Sequence, residues 1–140
     1  MPTPCAMVPI RIVVADDFRP FREALRKFFA DFAALEVVGE AADGHAAIEM
    51  TLFHVPHVII MDVKMPRLNG VEATRRIKRV FPSVHVVAVS SQDDTVTKQA
   101  MVTAGCSAFV AKDCAHTLPA VIAKITGRQI VPDEAFQENV

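Results

Sequence analysis

Apolar residues in this chain come in short unbroken runs set at near-regular intervals. Residues 10–15, 35–39, 57–61, 84–89 and 107–111 are five such runs, rich in valine, isoleucine and other strand formers. Most are continuous rather than alternating, the pattern of strands covered on both faces, as in a parallel sheet. After each run the apolar spacing changes to three and four. Residues 20–32 carry Phe21, Leu25, Phe28 and Phe32 on one helical face, with Pro20 in the first turn, where its missing N–H costs nothing. Further helices are expected over residues 44–53, ended before Pro56, and 70–80, ended before Pro82. Two more are expected over 94–103, closed by Gly105, and 117–126, closed by Gly127 with Pro119 in its first turn.

Five β-α units in succession predict one doubly wound α/β domain with right-handed crossovers. It is placed at residues 9–127. Residues 1–8 are then an N-terminal extension, and the polar stretch 128–140 a frayed C-terminal tail or the start of a linker.

Composition narrows the class. Of 140 residues 51% are hydrophobic, enough for a sizeable core, and the net charge of −1 does not suggest a nucleic-acid binder. The three cysteines, Cys5, Cys106 and Cys114, are odd in number and lack metal-ligand spacing, which reads as reduced thiols in a cytosol. Neither a signal peptide nor an apolar run of membrane-spanning length is present, so a cytoplasmic protein without membrane contact is expected.

In a sheet of this kind the binding crevice lies at the carboxyl ends of the strands. The first run leads into Asp16 and Asp17, the third into Asp62, the fourth into Ser90 and Ser91, and the fifth into Lys112. Any one of these has a plain structural explanation: an aspartate as a helix cap, a loop serine, a solvated lysine. Together they place three acids, a hydroxyl and an amine on one edge. Clustered carboxylates resist joint ionisation unless a cation joins them. Mg²⁺ suits an all-oxygen set, and the absence of nearby histidine or cysteine argues against zinc. Asp62 then qualifies as a nucleophile toward phosphorus, with Lys112 and Ser90 meeting the phosphoryl oxygens.

The order and spacing of four segments resemble the response-regulator receiver family. They are Asp16-Asp17 after an apolar strand, the stretch Met61-Asp62-Val63-Lys64-Met65-Pro66-Arg67-Leu68-Asn69-Gly70, Ser90-Ser91, and Gly105 through Lys112. The resemblance implies a flavodoxin-like (βα)5 sheet of order 2-1-3-4-5. It implies Asp62 as the phosphoacceptor, with Mg²⁺ held by Asp16, Asp17, Asp62 and the backbone carbonyl of Lys64. It implies Lys112 as the phosphoryl partner, and Ser90 with Phe109 as the switch pair. The implied phosphodonor is a sensor histidine kinase, and the implied output is a homodimer or a partner protein meeting the face of the fourth helix, fifth strand and fifth helix. Such a domain is a switch with self-catalysed phosphotransfer and slow autodephosphorylation rather than a turnover enzyme.

Val38-Gly39-Glu40-Ala41, Asp43-Gly44, Lys112-Asp113 and the tail Ile130-Val131-Pro132-Asp133-Glu134 look like receivers that precede a LuxR-type helix-turn-helix. That implies transcription regulation through a DNA-binding domain beyond this stretch, with no nucleic-acid contact by the receiver itself. Asp113 stands where many receivers have proline, Lys64 adds a cation two residues after Asp62, and Phe109 lacks the usual tyrosine hydroxyl.

Competing readings fare worse. A receiver-like module that no longer switches would have lost Asp17, Asp62 or Lys112. A small-molecule phosphohydrolase would carry Asp-x-Asp on one strand and a cap domain. A flavodoxin would need a glycine- and hydroxyl-rich loop where Asp16-Asp17-Phe18-Arg19-Pro20 is acidic. The basic run Arg75, Arg76, Lys78 and Arg79 reads as a solvated helix face. His54 and His57 flank Pro56 and could suggest a metal pair, but a strand start accounts for one of them, and His85 and His116 carry no signal. The phenylalanines of the first helix (Phe21, Phe28, Phe29 and Phe32) read as core, and the family resemblance implies that part of that helix faces the phosphodonor.

Overall fold

Two-sided burial decides the architecture. The computed structural model describes residues 8–91 and 95–133. Its strands are β1 (Ile10–Ala15), β2 (Leu35–Ala41), β3 (Val58–Asp62), β4 (His85–Ser90) and β5 (Ala108–Ala111). Its helices are α1 (Arg19–Phe29), α2 (Gly44–His54), α3 (Gly70–Val80), α4 (Thr95–Ala104) and α5 (Leu118–Thr126). All pairings are parallel, in the order β2-β1-β3-β4-β5.

Successive side chains of a strand point to opposite faces, so each unbroken apolar run feeds two cores. Val13, Ile59, Met61, Val86 and Ala88 meet Ala47, Ala73, Ile77 and Met101 of α2, α3 and α4. Ile12, Val14, Val58, Ile60, Val87 and Val89 meet Leu25, Phe29, Leu118 and Ile122 of α1 and α5. Every residue of β3, the central strand, is buried.

The element edges differ from the sequence reading in instructive ways. Helix α1 ends at Phe29, not at residue 32, and Phe32 N–H donates to the Phe29 carbonyl (3.0 Å) to close a turn. The phenylalanine spacing persists beyond the helix because Phe28 and Phe32 pack edge to face at 5.5 Å. Strand β2 runs on through Glu40 and Ala41, and β3 and β4 each end on a polar residue, Asp62 and Ser90, that an apolar criterion trims away. Val55, held at φ 42 before Pro56, ends α2 one residue later than expected. A 3-10 turn, Lys112–Thr117, comes before α5, so that helix starts at Leu118. Gly105 (φ 113) and Gly127 (φ 69) take left-handed conformations after α4 and α5, as C-terminal glycines do. Asp94 as the start of α4, Cys5, residues 1–7 of the extension and residues 134–140 of the tail lie outside the described residues.

Residues 128–133 form no helix or strand, yet they are tied down. Asp133 N–H donates to the Asp31 carbonyl (2.8 Å), its carboxylate accepts from Ala33 N–H (2.9 Å), and Ile130 packs on the α1–α5 layer. Among the described residues no helix is long and apolar enough to cross a membrane. The basic run on α3 is largely a solvated face: Arg75, Arg76 and Arg79 are exposed, Arg75 and Arg76 pair with Glu72 at the surface, and Lys78 Nζ donates to the carbonyls of Pro82 (2.7 Å) and Val84 (2.8 Å). His57 Nδ1 accepts from Arg11 N–H at 2.9 Å, a structural role.

Candidate functional site

The parallel register brings the polar strand ends to one level. Ala15 pairs with Met61, Asp62 with Val89, and Ser90 with Ala111. Asp16, Asp62, Ser90 and Lys112 therefore follow or end neighbouring strands at the same edge. Glycine supports this level from behind. Gly70 N–H donates to the Val63 carbonyl (2.8 Å), and a Cβ at Gly70 would stand 2.1 Å from the Asp62 carbonyl oxygen. Asn69 caps α3 by accepting from Glu72 N–H (3.0 Å), which fixes where that helix begins beneath the β3–α3 loop.

Carboxylate oxygens of Asp16, Asp17 and Asp62 all lie within 4.8 Å of one another. Asp16 is fully buried and Asp62 is 5% exposed, while Asp17 faces solvent. One oxygen of Asp16 accepts from Phe18 N–H at 2.8 Å. Its other oxygen stands 2.6 Å from Lys112 Nζ, and Asp62 lies 3.7 Å from the same ammonium. Burial pushes Asp62 up to about 7, and the charge of Asp16 pushes the same way. Lys112 and a hydrogen bond from the Lys64 backbone N–H pull against this, and Asp17 adds a smaller upward push. One lysine thus leaves the three acids short of positive charge. The donor set is all oxygen, with no histidine or cysteine in it, which suits a hard divalent ion such as Mg²⁺. Among the described residues it is the one group of three or more such side chains drawn together in this way.

The remaining expected residues take distinct places. Ser90 ends β4 and is 3% exposed. Phe109, on β5, packs half-buried against the cluster of Ala88 and Met101. Lys64 is exposed, with its backbone turned to Asp62. Lys112 opens the 3-10 turn directly after β5, and no cis peptide bond occurs among the described residues.

Helix α1 adds two residues that sequence reasoning missed. The ring of Phe21 lies under Lys112 Nζ, 4.7 Å from ammonium to centroid, a cation–π distance. Arg22 donates to the Asp16 backbone carbonyl at 2.7 Å while its Nε meets Glu40 at 2.9 Å. Phe21 stood in the apolar stripe of the first helix and was indistinguishable there from core. Arg22 carried no sequence signal, because its partners sit six and eighteen positions away.

Comparison with known proteins assigns the architecture. The family model described as the response regulator receiver domain matches residues 12–123. The chain belongs to the response regulator receiver domain family. The receiver is 38% identical over 104 residues to the transcriptional regulatory protein DegU of Brevibacillus brevis, covering 74% of this chain and 44% of that protein. It is similar to the receiver domain of the putative response regulator NarL from Mycobacterium tuberculosis, with 31% identity, TM-score 0.78, and coverage of 86% and 99% of the two chains. A LuxR-family two-component response regulator from Aurantimonas sp. SI85-9A1 aligns at 28% identity and TM-score 0.78 over 93% of this chain and 94% of that one. The likeness thus runs toward LuxR-type regulators. The receiver spans only part of the curated relatives that it matches, 44% of one and 61% of another.

Proposed function

We propose that this receiver accepts a phosphoryl group on Asp62 from a histidine kinase and uses it to change the surface formed by α4, β5 and α5. The observation that carries the reading is the convergence of Asp16, Asp17, Asp62 and Lys112 on one sheet edge, with Asp62 raised to about 7 by burial first and by the charge of Asp16 second. In the transfer an Asp62 carboxylate oxygen forms the new O–P bond as the P–N bond of the donor phosphohistidine breaks. The imidazole leaves with the electron pair and takes up a proton. Asp16, Asp17, Asp62 and the Lys64 carbonyl would hold Mg²⁺, which when bound neutralises charge on the phosphoryl oxygens. Lys112 would supply the second cation, and the Ser90 hydroxyl would meet a third oxygen.

Ser90 and Phe109 then form the switch pair. Drawing Ser90 toward the phosphoryl group empties space that Phe109, at the half-buried end of its cluster, turns to fill. Without a hydroxyl, Phe109 acts by packing alone. The surface affected includes Val96 and Val102 of α4, which are 78% and 58% exposed. That apolar area fits a homodimer contact or an output partner better than a nucleic acid. In a longer regulator of the LuxR type, the controlled output would be a DNA-binding domain, and the setting cytoplasmic.

Acetyl phosphate with Mg²⁺ tests the chemistry. The parent chain should gain the mass of one phosphoryl group, and Asp62→Asn should gain none. Labelling of Asp62→Asn at the parent rate would sink the assignment. Beryllofluoride, a phosphoryl mimic, tests the output: a shift from monomer to dimer mass assigns the surface to self-association, and binding without a mass shift assigns it to a partner protein.

A further inference from the structure

We propose that Arg22, anchored by Glu40, is a positioning residue that holds the acidic turn in shape for the divalent cation. The inference rests on the phosphoacceptor reading above and goes beyond it to a couple outside the acid cluster.

The turn that carries Asp16 and Asp17 is exposed to a specific failure. It follows a buried strand and must present two adjacent carboxylates in different directions: Asp16 inward to Lys112, Asp17 outward to solvent. The peptide between them decides that division, and its carbonyl belongs to Asp16. That carbonyl accepts a hydrogen bond from Arg22 Nη1 at 2.7 Å. From the other side, Phe18 N–H closes onto the Asp16 carboxylate at 2.8 Å. The first bond holds the carbonyl of the Asp16–Asp17 peptide, and the second ties the backbone N–H after Asp17 to the Asp16 side chain, so the turn is held on both sides of Asp17.

Arg22 is itself held. Its Nε is 2.9 Å from one oxygen of Glu40, and the second oxygen of Glu40 takes Arg26 Nε at 2.7 Å. Burial would raise Glu40, but hydrogen bonds and charge from Arg26 and Arg22 outweigh it and keep the carboxyl below its usual range. Glu40 therefore stays ionised across the working pH range. The side chain of Arg22 is mostly covered, unlike that of Arg19 one turn earlier, whose pair with Glu23 lies in solvent. A planar guanidinium can serve a carboxylate and a carbonyl at once through fixed N–H directions, which a lysine cannot reproduce. The path runs from strand β2 through α1 to the acid turn, so the helix that flanks the crevice also shapes it.

The test uses the full chain and small-molecule reagents, so that no kinase contact with α1 enters. Parent, Arg22→Gln, Arg22→Lys, Glu40→Gln and the surface control Arg19→Gln are compared. Three quantities are measured: exchange of the Phe18 amide without metal, the Mg²⁺ dissociation constant by calorimetry, and labelling by acetyl phosphate over a range of Mg²⁺. Residues that orient metal ligands are worth about ten-fold in metal affinity. Arg22→Gln should weaken Mg²⁺ binding by about that factor, speed Phe18 exchange, and slow labelling at low Mg²⁺ while recovering at saturation. Arg22→Lys should behave like the glutamine variant, Glu40→Gln should shift in the same direction by less, and Arg19→Gln should match the parent. A lower melting temperature for Arg22→Gln with parent-like Mg²⁺ affinity and Phe18 exchange would reduce Arg22 to a structural residue and overturn the proposal. If the parent itself neither binds Mg²⁺ nor is labelled, the reading of the acid pocket fails first and this inference falls with it.

Discussion

Arg67 reaches from the β3–α3 loop to Asp43, with Nε 3.2 Å from Oδ2. The other oxygen of Asp43 caps α2 by accepting from Ala46 N–H at 2.9 Å. Beside them the Leu68 carbonyl accepts Gly44 N–H at 2.9 Å, so the loop that follows Asp62 is fastened to the start of α2. Arg67 itself sits at φ 65, a conformation that side chains seldom take, and this fastening holds it there.

Asp43→Ala should therefore destabilise the chain by about 1 kcal/mol, the usual worth of a helix cap. Asp43→Asn keeps an accepting oxygen and gives up only an exposed ion pair, so it should stay close to the parent. Urea unfolding followed by far-ultraviolet circular dichroism separates the two. Intrinsic fluorescence does not serve, since the chain has no tryptophan or tyrosine.

Two glycines make a matched pair of tests. A methyl at Gly70 would meet the Asp62 carbonyl at 2.1 Å, while one at Gly127 meets nothing within 4 Å but must adopt φ 69. Gly70→Ala should cost about 3 kcal/mol, at the upper end for overpacking, and should displace Asp62 enough to depress acetyl phosphate labelling. Gly127→Ala should cost about 1 kcal/mol from its left-handed backbone and leave labelling unchanged.

Asp62 also sets a pH dependence. Its ordinary value is 3.8, and burial first, then Asp16, raise it to about 7 in the fold. The folded state thus binds this proton more tightly than the unfolded chain, so the Asp62 contribution favours folding at low pH. It weakens as pH climbs from about 4 to about 7 and is flat above. In Asp62→Asn that slope should vanish, and the variant should be more stable than the parent at pH 8 without metal. Added Mg²⁺ should raise the parent melting temperature more at pH 8 than at pH 5. Melting curves at the two pH values, with and without Mg²⁺, decide the point, and equal slopes for parent and variant would refute it.

Lys112→Met keeps an unbranched stem over the Phe21 ring and removes the ammonium that stands 2.6 Å from Asp16 and 3.7 Å from Asp62. With that cation gone, the Asp62 midpoint should move further upward, as carbon-13 NMR of the carboxyl would record. Leaving a buried carboxylate without its partner should also destabilise the fold by about 3 kcal/mol. Labelling by acetyl phosphate should slow at every Mg²⁺ concentration, unlike the recoverable defect expected for Arg22→Gln.

Much of the fold was legible because strand burial and helix spacing are local signals. Unbroken runs such as residues 84–89 revealed strands with two covered faces, and the glycines after α4 and α5 marked helix ends. The acids were legible because polar residues at the ends of apolar strands stand out. Polar strand termini were less so: Asp62 and Ser90 belong to their strands by hydrogen bonding rather than by character. The end of α1 is not legible in the sequence because packing of Phe28 on Phe32 preserves a helical spacing after the helix has stopped. Phe21 and Arg22 were invisible as site residues for a different reason. Their roles depend on α1 lying against β2 and the crevice, and no spacing rule encodes that contact.

The hydrogen bonds that bind Asp133 to Asp31 and Ala33 fix an anchorage point. Asp31 and Ala33 lie between α1 and β2, where strands begin, so the backbone leaves residue 133 on the rim opposite the acids. A fluorophore carried on the side chain of residue 133 itself would sit at that rim, away from the crevice where a phosphodonor would approach.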